Sequence, residues 1–182
     1  MKVALLALLG LSSLALADHH GKEQSLFNGK DFTGWKVPKN NIWWSVADEM
    51  IVAKSGPKKR GSNLWSEKEF EDFDMVCDFR FDGSGDSGVF LRDGGQQIQI
   101  GISGSLKRDM TASPYIAGKG YPVEAEATKG VKGVKSLLRI NDWNTLRVRA
   151  EGPKYDAWLN GVHVMTYTSV SYTHLTLPTN CV

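Results

Sequence analysis

Apolar and polar residues alternate along this chain in short runs, and no stretch holds helical spacing of apolar positions over the length of a core helix. The runs are Ile42-Trp43-Trp44-Ser45-Val46, Met50-Ile51-Val52-Ala53, Phe73 to Phe81, Gly88 to Arg92, Gln96 to Ile102, Thr145 to Ala150 and Tyr155 to Leu159. Each is bounded by Gly, Asp, Asn or Pro. This spacing of short strands and turn signals predicts an all-β sandwich. Asn160-Gly161, between Tyr155-Asp156-Ala157-Trp158-Leu159 and Val162-His163-Val164-Met165-Thr166-Tyr167, predicts a two-residue hairpin. Ser66-Glu67-Lys68-Glu69 has the form of a capping box and predicts one short helical turn. Residues 103–135, rich in Gly, Lys, Ala and Pro, form a long connection with weak strand character, and connections of that length often carry function.

Alternation also sorts side chains by face. Met75, Cys77, Phe79 and Phe81 fall on one face of their run, and Val76, Asp78, Arg80 and Asp82 on the other. Gln97 and Gln99 alternate with Ile98 and Ile100. A sheet face gathering Arg80, Arg92, Gln97 and Gln99 would be rich in donors suited to sugar hydroxyls, although the same pattern describes an ordinary solvated face.

The N-terminus changes the domain picture. Lys2, the apolar stretch from Val3 to Leu16 and the small-x-small triplet Ala15-Leu16-Ala17 predict a secretory signal over residues 1–17, cleaved after Ala17. The apolar run is shorter than the roughly 20 residues of a membrane span, and Asp18-His19-His20 follow it at once. No cysteine stands just after the cleavage site to carry a lipid. The expected product is a periplasmic or secreted domain over residues 18–168 with no membrane anchor after cleavage.

Charge narrows the partners: 22 basic and 20 acidic residues nearly cancel, so no global field points to nucleic acid or an anionic membrane. The basic run Lys58-Lys59-Arg60, flanked by Ser55, Gly56, Pro57, Gly61 and Ser62, reads as a solvated loop. Cys77 reads as a small buried hydrophobe, and no structural disulfide is expected.

Several familiar chemistries lack their residues. Gly83-Ser84-Gly85-Asp86-Ser87-Gly88 has dinucleotide-type glycines, but Val89-Phe90-Leu91-Arg92 after it reads as strand where that motif needs a helix N-terminus. The histidines, His19, His20, His163 and His174, show no zinc spacing. An oxygen-ligated divalent cation near Asp82 and Asp86 stays open, because such sites leave little spacing signal. No Gly-x-Ser-x-Gly nucleophile motif occurs, and the carboxylate pair of ordinary glycoside hydrolysis is missing where Gln97 and Gln99 stand. The acidic residues of the long connection are Asp109, Glu124 and Glu126.

An ordered set of phrases remains. Leu26-Phe27-Asn28-Gly29-Lys30-Asp31 with Gly34-Trp35, Leu64-Trp65-Ser66, Asp78-Phe79-Arg80, Asp86 to Arg92, Trp143-Asn144-Thr145 and Trp158-Leu159-Asn160-Gly161 resemble the 3-keto-disaccharide hydrolase family, from Ser25 to about Tyr167. Ser103 to Thr111 and Gly120-Tyr121-Pro122-Val123-Glu124 resemble one branch of it. The resemblance implies a concanavalin A-like jelly-roll sandwich of two antiparallel sheets whose polar face holds a carbohydrate. It also implies cleavage of 3-keto-glycosides: a ketone at carbon 3 acidifies the proton on carbon 2, so one base and an enolate stabiliser suffice. On motif position, Arg80 and Arg92 would polarise the ketone, and Glu124 or Asp109 would be the base. Asp86, Gln97, Gln99, Lys107, Arg108, Tyr121 and Trp158 would bind substrate, although core packing also accounts for Trp158. A non-catalytic carbohydrate-binding module is the alternative reading. The family ordinarily continues past the hairpin, whereas Val170 to Asn180 resembles translated sequencing-adapter read-through. Residues 169–182 are therefore expected to be a non-native tail, and the sandwich to lack its last strand or strands.

Overall fold

The computed structural model describes residues 4–6, 10–11, 14–17, 23–91, 95–103, 105–123, 125 and 137–169. One sheet of seven strands runs in the order β12 (Arg108–Asp109), β11 (Gln96–Ser103), β10 (Asp86–Leu91), β1 (Ala4–Leu6), β8 (Leu64–Ser66) and β5 (Trp35–Lys36), with β13 (Pro114–Ile116) also on β11. A second sheet of nine strands runs β16 (Val162–Thr168), β15 (Lys154–Leu159), β14 (Trp143–Glu151), β9 (Phe73–Arg80), β2 (Gly10–Leu11), β7 (Met50–Ala53) and β6 (Trp44–Ala47). To it belong β3 (Leu14–Ala17), which pairs with β9, and β4 (Glu23–Ser25), which pairs with β3. All the pairings are antiparallel, for example β10 with β11 and β9 with β14. The architecture is the expected all-β jelly-roll sandwich.

Alternation explains why the sheets stack. Phe73, Met75, Cys77 and Phe79 of β9 join Leu146, Val148 and Ala150 of β14 and Tyr155, Ala157 and Leu159 of β15 in one buried cluster. Leu64, Val89, Leu91, Ile98 and Ile100 enter that cluster from the seven-stranded sheet. Burying each such side chain is worth roughly 1.5–3 kcal/mol, which makes the apolar rows the main cohesive element. Cys77 is fully buried, as a small hydrophobe should be.

The β15–β16 hairpin turns on Asn160 and Gly161, at φ 50° and 82°, the left-handed conformation that a primed two-residue turn requires. Asn160 also ties the turn to its surroundings. Its Oδ1 accepts from the Thr145 backbone N–H at 2.9 Å, and its Nδ2 donates to the Leu137 carbonyl at 2.7 Å and to Asn144 Oδ1 at 3.0 Å.

One local expectation is corrected. The Ser66–Glu69 phrase does not open a helical turn: Ser66 is the last residue of β8, and its hydroxyl donates to the Lys68 carbonyl at 2.8 Å, closing a bend. The connection after Ser103, expected to have weak strand character, holds two short strands, Arg108–Asp109 and Pro114–Ile116, that add to β11.

The apolar segment read as a secretory signal supplies β1, β2 and β3. Its register is regular. Leu5 falls opposite Val89 and Leu64, Leu11 opposite Ile51, Leu14 opposite Cys77 and Leu16 opposite Met75. Each of these partners is fully buried in the core. Residues 170–182, which hold the adapter-like tail, lie outside the described residues.

Candidate functional site

β11 is buried on both faces, which is unusual for a strand carrying two glutamines. Ile98 and Ile100 face the core, while Gln97 and Gln99 stand on the opposite face, 6% and 4% exposed. Burying an amide without partners would be costly, so its hydrogen bonds must be found within the protein. Gln97 Nε2 donates to the Ser87 carbonyl at 2.8 Å and to Gln99 Oε1 at 3.0 Å. Gln99 Nε2 in turn donates to Asp86 Oδ1. The two amides therefore point head to tail along β11 and deliver a donor to the exposed carboxylate at the start of β10. Aligned dipoles of this kind polarise one another and stabilise the negative charge where they end.

Glycine at position 88 makes this arrangement fit. Gly88 faces Gln99 across the ladder, on the same side of the sheet. A Cβ at position 88 would lie 2.3 Å from Gln97 Nε2 and 2.5 Å from the Ile98 carbonyl oxygen. Gln97 thus lies across β10 in space that any other residue would fill.

Aromatic residues border the row. Tyr115 stands opposite Gln97 in the β11–β13 register, and its ring meets Tyr121 edge-on with centroids 5.2 Å apart. Tyr121 follows Gly120, which bridges back to Ile116. Burial, followed by the Asp86 charge and Tyr115, pushes the Tyr121 hydroxyl above its ordinary range, so it stays protonated at neutral pH. Beyond β10, Trp65 and Phe90 have ring centroids 6.0 Å apart. The face thus offers one held carboxylate, one protonated phenol and flat apolar surfaces, a set able to bind sugar and to move protons.

Of the residues expected here, Asp86, Gln97 and Gln99 are joined directly, and Tyr121 borders them through its ring contact with Tyr115, which stands opposite Gln97. Arg80 is not with them. It lies in the other sheet, exposed on the outer face of β9, with its guanidinium 5.8 Å from the Trp143 ring centroid. The physical reason is that β9 pairs with β14, so its polar row faces away from β10 and β11.

Trp158 is likewise corrected. Tyr155, Ala157 and Leu159 take the core side of β15, leaving Trp158 outside, under the Arg147 guanidinium at 4.6 Å and edge-on to His163 at 5.0 Å. Arg147 is itself held by Asp74, so this is a cross-strand cluster on the solvent face, and Trp158 packs neither in the core nor beside Gln97.

Asp109 sits on β12 opposite Ile102, and its Oδ1 accepts the Thr111 backbone N–H at 2.8 Å, holding a turn. Lys107 and Arg108 are exposed at the same end of β11. Arg92 and Glu124 lie outside the described residues. Sequence reasoning missed Gly88, Tyr115, Trp65 and Phe90 as parts of the site. Trp65 and Phe90 stand within family-like phrases, whereas Tyr115 carries no motif signal. Among the described residues, no group of three or more His, Cys, Asp or Glu side chains is placed to hold a metal.

The fold and the site define an antiparallel β-sandwich with one polar, aromatic-bordered sheet face. Residues 22–176 match the 3-keto-alpha-glucoside-1,2-lyase-like domain, and the chain belongs to that family. Its fold is similar to a crystal structure titled a "putative glycosyl hydrolase" from Parabacteroides distasonis, with 22% sequence identity and a TM-score of 0.57. That similarity covers 82% of this chain and 75% of the other. No curated protein sequence matches the chain.

Proposed function

We propose that this protein is an exported enzyme that cleaves the glycosidic bond of 3-keto-glycosides, 3-keto-disaccharides among them, by elimination with or without subsequent addition of water. The observation that carries the reading is the Gln97–Gln99–Asp86 chain on a doubly buried strand, in a chain of the 3-keto-alpha-glucoside-1,2-lyase-like family. Direct displacement of an unactivated glycoside calls for two carboxyl groups flanking the bond. A 3-keto sugar needs less, because its ketone acidifies the neighbouring C–H and a single positioned base can start the reaction.

Export rests on Lys2, the apolar stretch to Leu16 and the Ala15-Leu16-Ala17 triplet. N-terminal sequencing of protein recovered from the extracytoplasmic fraction tests it, with a new terminus at Asp18 expected and an intact Met1 opposing it.

The activity is tested by incubating the protein with a panel of 3-keto-disaccharides and their parent sugars and analysing the products. Cleavage confined to the keto sugars supports the reading. Calorimetric binding of sugars without any turnover would instead favour a carbohydrate-binding module.

A further inference from the structure

The site row contains one carboxylate whose orientation is fixed by buried amides, and it is bordered by the Tyr121 phenol, whose ring meets Tyr115 edge-on at 5.2 Å where Tyr115 stands opposite Gln97. We propose that Asp86 is the base that removes the proton from carbon 2 of a 3-keto-glycoside and Tyr121 the acid that protonates the departing glycosidic oxygen, with Gln97 and Gln99 as positioning residues. This assignment rests on the 3-keto-glycoside reading and takes Asp86 as the base in place of Asp109.

The geometry separates Asp86 from Asp109. Asp109 spends Oδ1 on the Thr111 backbone N–H, a turn-forming bond that orients it for structure. Asp86 is exposed, and among the described residues only its Oδ1 is engaged, by the Gln99 amide. Gln99 is in turn fixed by Gln97, which is anchored on the Ser87 carbonyl. Both amides are more than nine-tenths buried and have no direct route to bulk water, so they hold the carboxylate without competing for its second oxygen. A base aimed in this way loses little freedom when substrate arrives.

The proton balance closes within the site. Asp86 takes the carbon-2 proton, and the C–H electron pair forms an enolate with the carbon-3 carbonyl. The enolate collapses to the ketone as a carbon 1–carbon 2 double bond forms and the carbon 1–oxygen bond breaks. The leaving oxygen takes the Tyr121 proton and departs as an alcohol. Protonated Asp86 then returns its proton to the Tyr121 phenolate, restoring both groups. Addition of one water across the new double bond gives the hydrolysis product.

The test uses the intact protein, a 3-keto-disaccharide and a 3-keto-glucoside carrying a nitrophenolate leaving group. Asp86→Asn is expected to lower kcat on both by at least ~100-fold, the usual share of a general base. Tyr121→Phe should lower kcat on the disaccharide by ~10-fold or more, yet leave the nitrophenyl substrate near the wild-type rate, since nitrophenolate leaves without a proton. Gln99→Leu should lower kcat with little change in KM, as a misaimed base would. Wild-type turnover together with unimpaired Asp86→Asn would overturn the assignment and leave the functional reading standing. An equal loss on both substrates in Tyr121→Phe would remove Tyr121 as the acid, and it decides the matter for Tyr121 even if Asp86→Asn fails to fold. No turnover by the wild type would overturn the reading and the assignment with it.

Discussion

Gly88 and Gln97 are fitted to one another: the Gln97 amide occupies the space a side chain at position 88 would need, and from there it reaches the Ser87 carbonyl at 2.8 Å. The Gln97–Gln99–Asp86 chain therefore depends on a missing Cβ in the neighbouring strand.

Gly88→Ala tests that dependence. The new methyl would meet the Ile98 carbonyl oxygen, which is backbone and cannot swing aside, as well as Gln97. Overpacking of this kind costs about 1–3 kcal/mol, and urea unfolding should show it. Turnover should fall together with the stability, because Gln97 must leave the Ser87 carbonyl to make room.

Asn160→Gly separates turn geometry from anchoring. Glycine accepts the φ of 50° at this position at least as well as asparagine, so a purely conformational role predicts no loss. The side chain's bonds to the Thr145 N–H, the Leu137 carbonyl and Asn144 Oδ1 predict otherwise. Loss of these part-buried contacts should cost about 1–3 kcal/mol, read as a lower melting temperature.

Asp156 supplies a pH test. Burial raises its pKa, but hydrogen bonds from Thr166, Lys154 and His163 outweigh burial and leave it below the ordinary carboxylate value. A lowered folded-state pKa stabilises above the unfolded value of about 3.9, and the benefit is lost as pH falls through the folded value. Wild type should therefore exceed Asp156→Asn in urea midpoint at pH 7 and match it near pH 2. Because its partners Lys154 and His163 are about half exposed, the difference should stay near or below ~1 kcal/mol.

Removal of residues 1–17 bears on both export and stability. Their strands fill the position between β8 and β10 and pair with β7 and β9, so their loss leaves those edges without partners. These strand positions and the export reading make opposite predictions. If residues 1–17 are strands of the working fold, a chain starting at Asp18 should melt lower than the full chain by more than ~5 °C on the usual scaling of stability with melting temperature, whereas a mature enzyme that begins at Asp18 predicts no loss. Equal melting temperatures would show that these strand positions contribute nothing to the fold.

The strands themselves were largely readable, because β9, β14 and β15 each have one core face and one wet face, and that contrast is what alternation records. Alternation does not say which sheet a strand joins. Arg80 was grouped with Gln97 and Gln99 for that reason: the pairing of β9 with β14 joins segments far apart in sequence, and it turns the polar row of β9 away from the site. Trp158 was open to a better reading, since Tyr155, Ala157 and Leu159 already fill the core phase of its strand. The glutamines were singled out as donors to sugar, but their link to Asp86 needs the β10–β11 register, and Tyr115 becomes visible only through the register of β13.

The most direct test of the account is the cleavage rate of one disaccharide presented in two forms, with a hydroxyl or with a ketone at carbon 3. Cleavage of the keto form alone, yielding the 1,2-unsaturated ketone or its hydrate, is the predicted result. Equal cleavage of both forms, or binding of both with cleavage of neither, would contradict it.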